Sequence, residues 1–200
     1  ALLVTEEFLS FSRKKNDLNI ELGMTNKGYL NTQIGNQKTA LDCFFYVLKL
    51  GEDKGDSTLV SQVYNDIAMA YMEFREYEKA LYYIENSLQI SRSQNDLKSI
   101  SLTLNNYGLV FLYLENYEKA SEVFNEALML KENFFEEETD PDEKYYLEID
   151  IAMLESNLGL VYKYQNQFQN AIDITKKAEL IFKKLGLDFY LIQSYTTLSE

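Results

Sequence analysis

The sequence contains no histidine and no tryptophan, and only one cysteine (Cys43) and one proline (Pro141) in 200 residues. Without imidazole there is no Ser–His dyad, no histidine general base and no histidine metal ligand, which removes the commonest catalytic machinery. A single cysteine excludes an intramolecular disulfide and is consistent with a reducing compartment. One proline and eight glycines leave few helix breakers, and β-hairpin signals are missing. Basic residues are also scarce: 19 Lys and Arg stand against 32 Asp and Glu, a net charge of −13. Such a surface repels phosphate backbones, so nucleic-acid binding by this segment is not expected. A basic partner, or one that docks through apolar and amide contacts, fits better. No run approaches ~18 apolar residues, so no membrane-spanning helix is expected. Residues 1–7 lack the basic region and apolar core of a signal peptide, and the expected compartment is the cytoplasm. The chain does not begin with Met, which points to a piece of a longer protein.

What the sequence does have is a repeat, the feature that decides the fold when present. Small residues recur at Gly28, Ala68, Gly108, Gly159 and Ser199, in steps of 40, 40, 51 and 40. A second series falls at Ala40, Ala80, Ala120 and Ala171. Around these points lie Tyr77-Glu78-Lys79-Ala80, Tyr117-Glu118-Lys119-Ala120 and Phe168-Gln169-Asn170-Ala171. Between them apolar residues recur at three- and four-residue spacings: Leu104, Tyr107, Phe111 and Leu114, then Ala120, Phe124, Ala127 and Leu128. Each unit therefore reads as two helices whose small residues mark the close crossing. Tyr71, Phe111 and Tyr162 fill the space beside it. Short polar joints, Arg75-Glu76, Glu115-Asn116 and Asn166-Gln167, connect the helices.

This pattern resembles the tetratricopeptide repeat family, which carries small residues at repeat positions 8 and 20 and an aromatic at position 11. The ~40-residue period is longer than the family's usual ~34, which implies longer helices. The resemblance implies an all-α, right-handed superhelix of antiparallel helix pairs, read as one solenoid segment over 1–200. Its parts are a part-repeat at 1–17, repeats at about 18–55, 56–96, 97–135 and 143–186, and a part-repeat at 187–200. The step of 51 marks an acidic insertion at 132–143. Longer flanking helices and a polar turn at 139–142 are expected there, because Asp140 precedes Pro141. A solvated loop is the first reading of that insertion, a docking patch for a basic partner the second. The residue order of a calcium loop is not present.

The resemblance also places a ligand on the concave face lined by the first helices. Repeat positions 5 and 6 point inward: position 5 reads Thr25, Asn65, Asn105, Ser156 and Thr196, and position 6 Asn26, Asp66, Asn106, Asn157 and Thr197. Asparagine is a mediocre helix former, so its recurrence in mid-helix calls for a reason. Its amide can pair with both the C=O and the N–H of an extended peptide, or equally with neighbouring helices. The ladder is open between these two uses. With the apolar residues beside it, the candidate peptide-binding set is Asn65, Asp66, Met69, Asn105, Asn106, Leu109, Tyr113, Ser156, Asn157 and Tyr164. Basic residues do not occupy Gln62, Asn65, Asp66, Leu102, Asn105 and Asn106, which argues against the carboxylate clamp of chaperone-cofactor members. Neither a glycine-rich phosphate loop, nor a Cys/His cluster, nor a nucleophile–base pair is legible. No catalysis, cofactor or metal is expected. Two functional readings follow: an interaction scaffold for a protein or peptide, or the sensory segment of a larger bacterial signalling protein or transcription regulator. Self-association through apolar ends is a third expectation.

Overall fold

The computed structural model describes residues 20–191; the part-repeat expected at 1–17, and residues 192–200 of the one expected at 187–200, lie outside them. The chain divides into two compact units, 1–99 and 100–200. Among the described residues every element is helical. Unit 1 holds α1 (Ile20–Gln33), α2 (Gln37–Lys54), α3 (Ser57–Glu73) and α4 (Tyr77–Ser93). Its boundary falls in the first turn of α5 (Leu97–Tyr113), and unit 2 continues with α6 (Tyr117–Glu137), α7 (Pro141–Tyr164) and α8 (Phe168–Leu185). Residues 188–191 are helical again. No described helix is long and apolar enough to cross a membrane.

One turn design recurs at the joints. A residue of positive φ ends the helix: Gly35, Gly55, Arg75, Asn95, Glu115, Asn166 or Gly186. Its N–H and the next one then bond back to the last turn. Glu115 N donates to Leu112 O at 3.1 Å and Asn116 N to Phe111 O at 2.9 Å, and Arg75 and Glu76 repeat this with Met72 and Tyr71. This is the Schellman pattern, which satisfies carbonyls that the helix end would otherwise orphan. The following residue often caps the next helix. Asp56 accepts from Leu59 N at 3.0 Å and Asn116 from Lys119 N at 3.2 Å. A left-handed backbone costs an L-residue about 1–2 kcal/mol, and glycine's larger unfolded entropy returns part of that. Glu115→Gly is therefore expected to raise stability by about 0.5–1 kcal/mol. A denaturation midpoint that falls would contradict the turn assignment.

The joint between α6 and α7 departs from this design. The eleven extra residues of the acidic insertion do not form a loop: α6 extends through Glu136 and Glu137, and Pro141 already stands in the first turn of α7. Only residues 138–140 connect them. Glu136 and Glu137 are thus helical, which corrects their placement in a loop. Asp140 is extended (φ −74°, ψ 123°), as the residue before proline must be, and its carboxylate accepts from Asp142 N at 2.8 Å. Proline costs nothing at the start of a helix, because its missing N–H is one of the orphan donors.

The core is built at a constant offset of sixteen residues. Gly28 lies against Phe44, and Gly108 lies against Phe124. A Cβ on Gly108 would come within 2.5 Å of the Phe124 ring, which is wholly buried. At the same offset stand Ala68 and Ile84, both wholly buried. In these three repeats the larger residue on the first helix, Ala68, goes with the smaller one on the second, Ile84. In the last repeat Gly159 lies against Thr175, whose buried hydroxyl has no hydrogen-bond partner. Between α3 and α4, three buried serines close the contact: Ser87 Oγ donates to Ser61 O at 2.8 Å, and the Ser61 and Ser91 hydroxyls are 2.8 Å apart. Within unit 1 the successive first helices α1 and α3 also touch.

Candidate functional site

In unit 2 the first helices α5 and α7 present a cavity of about 260 Å³. Asn105, Leu109 and Tyr113 come from α5, and Met153, Ser156, Asn157 and Leu160 from α7. Each set follows three- and four-residue steps, so each forms one helical face. Phe182 of α8 and Tyr190 close the far wall, their rings stacked 5.2 Å apart and 20° from parallel. The wall is largely apolar and aromatic, with two amides and the hydroxyls of Ser156, Tyr113 and Tyr190. That composition suits a ligand side chain flanked by peptide groups.

The asparagines are joined in a relay. Asn157 Nδ2 donates to Asn105 Oδ1 at 3.3 Å, and Asn105 Nδ2 donates to Asn106 Oδ1 at 3.2 Å. Asn105 and Asn157 are half-buried and line the cavity, whereas Asn106 is buried beneath them. The relay fixes the two lining amides but leaves them further capacity, since each amide group carries two donors and two lone pairs. On the α6 side of Asn105, Lys131 Nζ pairs with Asp150 Oδ2 at 2.6 Å and ties α6 to α7.

In unit 1 the corresponding positions are Asn65, Asp66 and Met69 of α3. Asn65 is buried, and Asp66 and Met69 are half-buried. The Asp66 carboxylate accepts a hydrogen bond from the Tyr29 hydroxyl of α1. Burial pushes the Asp66 carboxyl up to about 6, and the Tyr29 hydrogen bond offsets part of that rise. Burial likewise raises the Tyr29 phenol, with the Asp66 charge adding to it.

Of the ten residues expected from the sequence, Asn105, Leu109, Tyr113, Ser156 and Asn157 meet around the unit 2 cavity. Tyr164 does not line it. Its ring stacks on Tyr117 at 5.0 Å and 14°, and beside it Gln165 Nε2 donates to Tyr117 O at 3.0 Å. That contact belongs to the packing of α7 on α6. Met153, Phe182 and Tyr190 line the cavity without having been expected. Met153 was legible, since it lies three residues before Ser156 and four before Asn157 on the same helical face. Phe182 belongs to a second helix, a surface that the family analogy does not point inward.

The helix pairs, their constant offset and their shared turn define a repeat array of antiparallel α-hairpins. The sequence profile described as the tetratricopeptide repeat matches residues 59–133, so that part of the chain carries tetratricopeptide repeats. No curated protein sequence matches the chain. Solved structures match its fold. The apo form of RapI is similar at a TM-score of 0.77 and 18% identity, over 95% of this chain and 66% of that one. A putative kinesin light chain from Podosopora anserina, with nearly identical repeats, is similar at 0.67 and 12%, over 92% and 86%. A signal transduction ATPase with numerous domains from Pyrococcus horikoshii, described as having a tetratricopeptide repeat sensor, is similar at 0.74 and 17%. There the match covers 90% of this chain and 26% of that one. The chain therefore spans just under two thirds of RapI and about a quarter of the ATPase. Tetratricopeptide repeats serve generally as interaction modules for proteins and peptides.

Proposed function

We propose that this chain holds a peptide segment of a partner protein along its first helices, as a non-catalytic interaction scaffold. The observation that carries this reading is the cavity on α5 and α7. Its walls are Leu109, Met153, Leu160 and the rings of Tyr113, Phe182 and Tyr190, and it admits one large apolar side chain. Asn105 and Asn157 stand at its edge, where the adjoining peptide groups of an extended ligand would lie. The net charge of −13 favours a ligand that is not acidic.

Selection of a displayed library of random twelve-residue peptides against the folded chain tests this reading. Recovered peptides should share a large apolar residue. Tyr113→Ala and Asn157→Ala should each weaken them about tenfold, equivalent to about 1.4 kcal/mol. Equal affinity for the wild type and both variants would move the site elsewhere.

A second reading, the sensory segment of a larger signalling protein, is favoured by one observation. The ATPase that shares the fold uses tetratricopeptide repeats in a sensor, by its own description. In a repeat array each helix pair contacts only its neighbours, so a ligand's small effect on each repeat can add along the chain.

A further inference from the structure

Asp66 is the one member of the inward set that carries a charge, and its surroundings do not neutralise it. Its side chain is half-buried on α3, and among the described residues its partner is the Tyr29 hydroxyl, a neutral donor. In unit 1, Lys54 pairs with Glu21 and Lys79 with Glu76. Burial raises the acid without displacing it from the ionised form at neutral pH. An ionised carboxylate offers about four acceptor sites, and one hydrogen bond leaves most of them open. The pair also opens outward, since Tyr29 is 42% exposed. Tyr29 itself is held in place by the edge-on ring of Phe44, 5.4 Å away, which lies against Gly28. On the same face of α3, Gln62 and Glu73 are exposed one turn before and two turns after Asp66.

We propose that Asp66, with Tyr29 orienting it, receives a positively charged side chain, Arg or Lys, of a peptide lying on the first helices α1 and α3 of unit 1. The inference rests on the peptide-binding reading above. A guanidinium or ammonium would add charge-assisted hydrogen bonds that the tyrosine hydroxyl cannot supply. A group of three or more acidic, histidine or cysteine ligands is not present among the described residues. Asp66 is therefore better matched to an organic cation than to a calcium ion, which needs six or more oxygens. The chain's surplus of acid steers such a ligand inward.

The test is an array of ten-residue peptides in which one arginine is stepped along a background of Leu, Ser and Tyr. A matched set carries citrulline, the neutral isostere, in place of arginine. Wild type should bind its best arginine peptide at least tenfold more tightly than the citrulline counterpart. Asp66→Asn should abolish that preference and keep the citrulline affinity. In the wild type, the carbon-13 titration of the Asp66 carboxyl should shift to lower pH with the arginine peptide and stay in place with the citrulline one. A preference that survives Asp66→Asn, or an Asp66 titration that arginine does not move, overturns the inference and leaves peptide binding standing. Failure of every peptide to bind the wild type overturns both.

Discussion

Gly108→Ala should destabilise the protein by about 1–3 kcal/mol, and adding Phe124→Ile should recover much of that loss. In an ordinary helix interior the first change would be favourable by about 1 kcal/mol, because alanine is the better helix former. Here the new Cβ falls 2.5 Å from the Phe124 ring. That ring is wholly buried, so it has no free space into which to move. Phe124→Ile alone should cost about 1–3 kcal/mol by leaving a cavity. The double variant recreates the Ala68 and Ile84 combination that unit 1 already uses sixteen residues apart. Urea denaturation of the four proteins in the cycle gives the coupling. A favourable coupling of at least ~1 kcal/mol is expected. Losses that simply add would show that the offset is not a packing rule.

Glu155→Met should make the protein more stable at pH 8 by about 1–3 kcal/mol and change little at pH 5. Glu155 is 6% exposed, and its Oε2 has no hydrogen-bond partner. Burial pushes its carboxyl up to about 7; Lys177 of α8 lowers it somewhat and Glu132 of α6 raises it. The folded state thus holds this proton more tightly than the unfolded chain, whose carboxyl titrates near 4.5. The wild-type contribution is complete below about 4.5 and is lost as pH rises through about 7. Asp66 adds a second loss of the same sign between 3.8 and about 6, which the comparison of wild type with Glu155→Met cancels. A difference between the two proteins that is equal at pH 5 and pH 8 would show that Glu155 is ionised throughout.

Glu155 also shows how far the sequence could be read. Four residues before the small position, the earlier repeats carry Met24, Tyr64 and Leu104, all apolar or aromatic. A glutamate in that register is an outlier visible by alignment. Its raised carboxyl comes first from burial in the packed helices, with Glu132 adding to it, which no periodicity points to. The helix pairs were legible because steric demands repeat: Gly108 must be small since Phe124 is large, and each crossing says so again. The inner face was half legible. Helical spacing brings Asn105, Leu109 and Tyr113 to one side, with Ser156 and Asn157 on the facing helix. The aromatic wall of Phe182 and Tyr190 arises from tertiary packing of a second helix and the turn after it. The Tyr29 and Asp66 pair is of that kind too, formed across 37 residues by the contact of α1 with α3. At the acidic insertion the longer flanking helices were legible, while the loop reading of Glu136 and Glu137 failed because glutamates are good helix formers on an exposed face.

The central claim, a peptide held on the α5 and α7 face, is tested most directly by nuclear magnetic resonance of the isotopically labelled chain with a selected peptide. The side-chain amides of Asn105 and Asn157 and the methyl groups of Leu109, Met153 and Leu160 should shift together in one saturable titration. Shifts confined to the opposite surfaces of α6 and α8, with those five residues unmoved, would contradict it.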